Sequence, residues 1–125
     1  MKEENTFAYS DIRFADLQLL RYRVEGFDSL TPAQRRYVYH LSEATLWGRD
    51  ILWDQNCRLN LPIRRMLEHV FLHWSGDRTS PAFLAFHEYL RRTWFSNGIH
   101  HHYGMEKFLP GFSREWLCEA LEQTN

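Results

Sequence analysis

Residues 60–74 read NLPIRRMLEHVFLHW. Ile63, Met66, Leu67, Val70, Phe71 and Trp74 recur at the i, i+3, i+4, i+7, i+8 spacing that lines one face of an α-helix. Pro62 suits the first turn of such a helix, and Gly76 beyond Trp74 is a natural stop. Downstream, Ser80-Pro81 pairs a capping hydroxyl with a proline at the first helical position. The helix it opens carries Phe83, Phe86, Tyr89, Leu90, Thr93 and Trp94, and Ala82, Leu84 and Phe95 widen the apolar surface almost all round. Only His87, Glu88, Arg91 and Arg92 mark a polar strip, with Glu88 and Arg92 at the favourable i, i+4 spacing. Such a helix is expected to be buried on most sides and to end at Ser96-Asn97-Gly98. Ser113 caps a last helix, whose inner face holds Trp116, Leu117, Ala120 and Leu121.

Upstream, Thr31-Pro32-Ala33-Gln34 is a capping box, and it predicts a helix from Pro32 to about Gln55. Val38, Leu41, Thr45, Gly48 and Leu52 share one of its faces. Gly48 inside that helix costs about 1 kcal/mol relative to Ala, which implies a close neighbour or a bend. Before it, Leu20, Tyr22 and Val24 alternate with Arg21 and Arg23, as in a short strand or extended arm, although Leu17, Leu19 and Leu20 also suit a helix. Residues 1–10 read as a flexible lead. The expected architecture is mainly α: a small helical domain of about four helices with a short N-terminal extended arm. The lead and arm take residues 1–28, and the helical domain takes 29–125.

The composition agrees with a globular chain. Of 125 residues, 44% are hydrophobic and 25% charged, a balance that can fill a core. Fifteen Lys+Arg against sixteen Asp+Glu leave a net charge of −1, which argues against a general nucleic-acid binder. No apolar run approaches the roughly 18–20 residues of a membrane helix. The opening MKEENTFAYSDIRF lacks the apolar stretch of a secretory leader. Cys57 and Cys118 form no CxxC pair, so zinc-ribbon and thioredoxin-type sites are excluded. Two free thiols fit a cytoplasmic protein, or a periplasmic one if a leader has been cleaved. Aromatic residues reach 16%, with five Trp and nine Phe, more rings than a small domain readily buries. Some are expected to face a partner or further chain.

Candidate chemistry concentrates in residues 97–112, NGIHHHYGMEKFLPGF, which predict a long loop of the kind that carries function more often than ordinary connections do. In an extended segment His100 and His102 share a side and could meet one metal, with His101 pointing away. No carboxylate or cysteine stands at ligand spacing, and loop contacts to a partner or peptide are the other reading. Phe108, Leu109, Pro110 and Phe112 could equally staple the loop onto the helices. His69 and His73 have the separation of H-E-x-x-H, but Val70, Phe71 and Leu72 lie between them and supply no glutamate base, which leaves a pair of surface imidazoles. His87-Glu88 is not followed by a second histidine at the required place. Phosphate-loop and serine-hydrolase motifs are missing, and nothing supplies Cys57 with a base. The sequence therefore holds no complete catalytic constellation.

Tyr37-Val38-Tyr39-His40-Leu41-Ser42-Glu43-Ala44, followed by Trp47-Gly48, resembles a helix near the start of the dipeptidyl peptidase III family. Phe95-Ser96-Asn97-Gly98 followed by Tyr103-Gly104-Met105-Glu106-Lys107-Phe108-Leu109-Pro110 is similar to that family's Y-S-N, variable stretch, and F-G-x-x-K-F-V-P. The run from Phe14 to Tyr22, with Gly26-Phe27 after it, resembles the bacterial branch. Together these cover most of residues 14–121. The family consists of two-lobed zinc peptidases, several times longer, that release dipeptides from the amino end of oligopeptides. Its zinc and base motifs, H-E-x-x-G-H and E-E-x-R-A-D, do not occur here. The resemblance thus implies a non-catalytic N-terminal segment, inactive alone, with zinc in the parent enzyme and none held by this chain. Its partners would be the remaining lobes and a short peptide substrate, without nucleic acid or membrane. Tyr103 takes the place of the family's Phe near the peptide cleft, and Asn97 and Gly98 shape the start of that loop. The stretch Ile99–His102 departs from the family pattern. The alternative is a freestanding helical protein-interaction module.

Overall fold

The computed structural model describes residues 7–125. The lead expected over residues 1–10 therefore lies partly outside the described residues. The chain is mainly α and divides into two compact units, one ending at Leu46 and the other spanning Trp47–Asn125.

In the first unit, β1 (Ser10–Phe14) and β2 (Leu17–Leu20) pair antiparallel, with Phe14 opposite Leu17 and an irregularity between Ser10 and Arg13. The strand lies earlier than the alternation at residues 20–24 predicts, because pairing depends on a tight turn at Ala15-Asp16. Ala15 takes φ 50° there, a left-handed conformation that no glycine or asparagine announces in the sequence. A 3-10 turn (Phe27–Ser29) leads into α1 (Pro32–Leu46). The capping box is made reciprocally: Thr31 N–H donates to Gln34 Oε1 at 2.9 Å and Gln34 N–H donates to Thr31 Oγ1 at 3.3 Å. The Arg35 guanidinium donates to the Leu30 carbonyl at 3.0 Å and to the Asp28 carbonyl, and lies over the Phe27 ring. No residue of α1 is buried.

The helix expected from Pro32 to Gln55 is two helices. It stops at Leu46, turns through Trp47-Gly48, and resumes as α2 (Arg49–Asn56) in the second unit. The glycine marks a break in the hydrogen-bond ladder, which is a stronger effect than the expected bend. Next come α3 (Asn60–His73), α4 (Pro81–Ser96) and α5 (Arg114–Thr124). Their expected inner faces meet: Leu67 and Val70 of α3, Phe83, Phe86 and Leu90 of α4, and Ala120 of α5 form the buried cluster. Trp74, Phe112 and Trp116 pack around it. The α4 surface is less enclosed than its composition predicts, because Leu84 and Trp94 stay exposed.

Stops and starts follow local chemistry. A Cβ on Gly76 would lie 2.4 Å from the Trp74 ring, so the chain can fold back over that indole only without a side chain. Ser80 and Ser113 accept from the backbone N–H of Phe83 and Trp116 at 3.3 and 3.1 Å. Replacing either serine by Ala is expected to cost about 1 kcal/mol in a urea titration, and the two losses should add. Glu88 and Arg92 pair at 3.2 Å as their spacing predicts. Both cysteines are free thiols. Among the described residues no helix is long and apolar enough to cross a membrane.

Candidate functional site: the loop after helix α4

α4 ends where the sequence signals it. Asn97 takes a left-handed conformation, φ 52° and ψ 39°, and its N–H caps the Thr93 and Trp94 carbonyls. Gly98 N–H then donates to the Thr93 carbonyl at 3.0 Å. Gly98 is buried, and a Cβ built there would lie 2.3 Å from Asn60 Nδ2. Asn60 fixes this junction. Its side chain is fully buried; Nδ2 donates to the Trp53 carbonyl and Oδ1 accepts from Ile99 N–H, both at 3.2 Å. One amide thus joins α2, the start of α3 and the root of the loop. Sequence reasoning places Asn60 only at a helix start, because its partner Ile99 lies 39 residues away.

Beyond this root the loop folds back on itself. His100 bridges Lys107, Phe108 N–H donates to the Ile99 carbonyl at 2.8 Å, and His101 N–H donates to the Glu106 carbonyl at 2.8 Å. A turn closes at the tip, with Gly104 N–H donating to the His101 carbonyl at 3.1 Å. The expected alternation of the three histidines fails for this reason. Extended backbone ends at His100, and the turn brings the His101 and His102 rings to 4.5 Å and His102 to 4.3 Å from Tyr103. His101 Nδ1 accepts from Tyr103 N–H at 3.3 Å, so its other nitrogen carries the proton when the ring is neutral. Among the described residues, no three or more His, Cys, Asp or Glu side chains come together as a group that could hold a metal ion.

Tyr103 and Met105 project from the tip, 91% and 90% exposed. Gly98 and Tyr103 line a common cavity of about 280 Å³, whereas Asn97 lines a separate one with Trp53, Arg64 and Trp94. The aromatic staples divide. Phe112 packs on Phe86 and Trp116 at 5.6 and 5.7 Å between ring centroids, and Phe108 lies beneath the Arg92 guanidinium, but Leu109 is exposed. On the far side of the loop, Tyr89 lines a larger cavity with Arg92, Lys107 and Phe108, and burial pushes its phenol above the usual range.

His69, His73 and His87 are held by contacts within the helical unit. His69 and His73 stack at 4.3 Å, and His69 Nε2 lies 2.9 Å from the Thr124 carbonyl at the end of α5. His87 stacks on Phe71 at 5.1 Å. Desolvation, and then the nearby Arg91 and Arg78 charges, hold its pKa below the ordinary value of 6.5. The unfolded chain therefore binds the proton more readily than the folded one. Stability from this group is complete above pH 6.5 and falls as pH drops below it. His87→Gln should flatten the decline in urea midpoint as pH falls below about 6.5. An unchanged pH profile would contradict the assignment. Comparison of the sequence with protein-family models and with curated proteins returned no match.

Proposed function

We propose that this chain is a non-catalytic helical segment of a zinc-dependent dipeptidyl peptidase, forming scaffold and one wall of the cleft where dipeptides leave the amino end of oligopeptides. The observation that carries the reading is the loop after α4. Its root is fixed by a buried amide, and its tip presents an exposed Tyr103 that packs on nothing deeper than neighbouring histidines. An aromatic held out on an ordered loop suits contact with a side chain of a bound peptide. Asn97 and Gly98 set the direction in which that loop leaves the helix. Zinc and the catalytic base belong, on this reading, to the remaining lobes, and the free thiols accord with a cytoplasmic setting.

The apolar face of α1 favours a second reading. Tyr37, Val38 and Leu41 are exposed, as are Trp47 and Ile51 after the helix. Surfaces of this kind mark contact with another polypeptide. Within a peptidase they would meet the other lobes; in a freestanding interaction module they would meet a separate protein.

Tyr103→Ala in the full-length enzyme tests the cleft reading. The expected result is a roughly 3- to 10-fold lower kcat/KM for dipeptide release, carried mainly by KM, from the loss of one aromatic contact. Unchanged KM and kcat would overturn it.

A further inference from the structure

Asn97-Gly98 is the one Asn-Gly pair in the 125 residues. Such a pair carries its own reaction. The backbone nitrogen of the second residue can attack the asparagine Cγ, and glycine, without a side chain, leaves that nitrogen least hindered. A bond forms between Gly98 N and Asn97 Cγ, the side-chain nitrogen leaves as ammonia with the Gly98 proton, and a five-membered imide results. Water then opens the imide. Attack at the former main-chain carbonyl carbon leaves the chain running through Cγ. The product is an isoaspartyl linkage, with one more methylene in the backbone and a free α-carboxylate.

The folded root of the loop holds this reaction off in three ways. Gly98 N–H donates to the Thr93 carbonyl at 3.0 Å, which retains the proton the nitrogen must lose. With Asn97 at ψ 39°, the Gly98 nitrogen stands nearly anti to the Asn97 Cβ across the Cα–C bond, whereas ring closure needs the two close to eclipsed. Rotating ψ to reach that arrangement carries Gly98 and Ile99 out of place. It breaks the Ile99 N–H bond to Asn60 Oδ1, beside a buried amide whose Nδ2 a single carbon added to Gly98 would approach to 2.3 Å. The Asn97 side chain, by contrast, is only half-buried, and it lines the cavity with Trp53, Arg64 and Trp94. The restraint therefore lies in the backbone of the root and in Asn60.

We propose that Asn97 is a latent modification site, converted to isoaspartate only when the root of the loop opens. The conversion is one-way for the fold. The extra methylene has no room beside Asn60, so the isoaspartyl chain cannot restore the Asn60–Ile99 bond, and the loop that carries Tyr103 loses its tie to α2 and α3. The inference stands on the geometry of the root and does not require the peptide-cleft reading.

The test follows isoaspartate at residue 97 by peptide mapping of the full 125-residue chain, aged in mildly alkaline buffer with and without denaturing urea. Conversion should be at least about tenfold slower in the folded chain than in urea, the factor set by an opening that costs about 1.4 kcal/mol. Asn60→Ala, which removes both bonds at the root, should raise the rate without urea at least about tenfold and leave the rate in urea unchanged, with far-UV circular dichroism confirming the helical fold. In sub-denaturing urea the unsubstituted chain should convert in step with hydrogen exchange at the Gly98 amide, a relation that depends on no variant. The isolated isoaspartyl chain should exchange its Ile99 amide at least about tenfold faster than the parent. Equal rates in the folded and unfolded chain, no isoaspartate in urea, no acceleration in a folded Asn60→Ala variant, conversion independent of Gly98 exchange, or an isoaspartyl chain that keeps Ile99 protected would each overturn it.

Discussion

Phe86→Ala is expected to destabilise the helical unit by about 3–5 kcal/mol, the usual cost of deleting a fully buried aromatic. Phe86 has no exposed surface and lies within 6 Å, ring centroid to centroid, of Phe83, Phe112 and Trp116. Its loss opens a cavity walled by rings from α4, α5 and the segment before α5. Those walls cannot collapse without moving a helix, so the cavity contribution adds to the lost transfer energy. Small domains hold only about 5–15 kcal/mol in all. The variant should therefore show a large drop in its urea midpoint. Leu84→Ala, on the exposed side of the same helix, should change stability by no more than about 0.5 kcal/mol. Similar losses for both variants would contradict the placement of the core.

Gly98→Ala has the next largest expected effect, about 2–4 kcal/mol. The new methyl would overlap the Asn60 amide, and that amide has no cheap way to yield. It is fully buried, and moving it breaks its bonds to the Trp53 carbonyl and the Ile99 N–H. Asn60→Ala should cost a similar amount, because it leaves a buried donor unpaired at the root of the loop. The double variant carries the sharper prediction. Truncating Asn60 clears the space the methyl needs, so the combined loss should fall short of the sum by about 1 kcal/mol or more. Strict additivity in denaturant titrations would show that Gly98 and Asn60 do not oppose one another.

The helices were legible wherever a cap and a spacing agreed. Ser80, Ser113 and the Thr31–Gln34 box make the hydrogen bonds their positions predict, and the stripes on α3 and α5 are the ones that pack. Legibility ended where a feature depended on distant chain. The β1–β2 hairpin turns at Ala15, whose left-handed φ is imposed by strand pairing rather than by residue type. The break at Trp47-Gly48 could be located but not distinguished from a bend, because one glycine is compatible with either. At the candidate site, Tyr103 and the Asn97-Gly98 turn could be singled out from the sequence. Asn60 could not, since a helical asparagine looks the same in sequence whether it faces solvent or a buried partner. The histidine triplet misled for a related reason. Alternation holds in extended backbone, and the turn at Gly104 ends that regime after His100.

The proposal that this segment belongs to a larger zinc peptidase is tested by reading the source gene past the codon for Asn125. On that proposal the frame continues into a segment with H-E-x-x-G-H and, later, E-E-x-R-A-D. A stop codon directly after Asn125 would contradict it and leave a freestanding interaction module as the better description of the exposed aromatic surface.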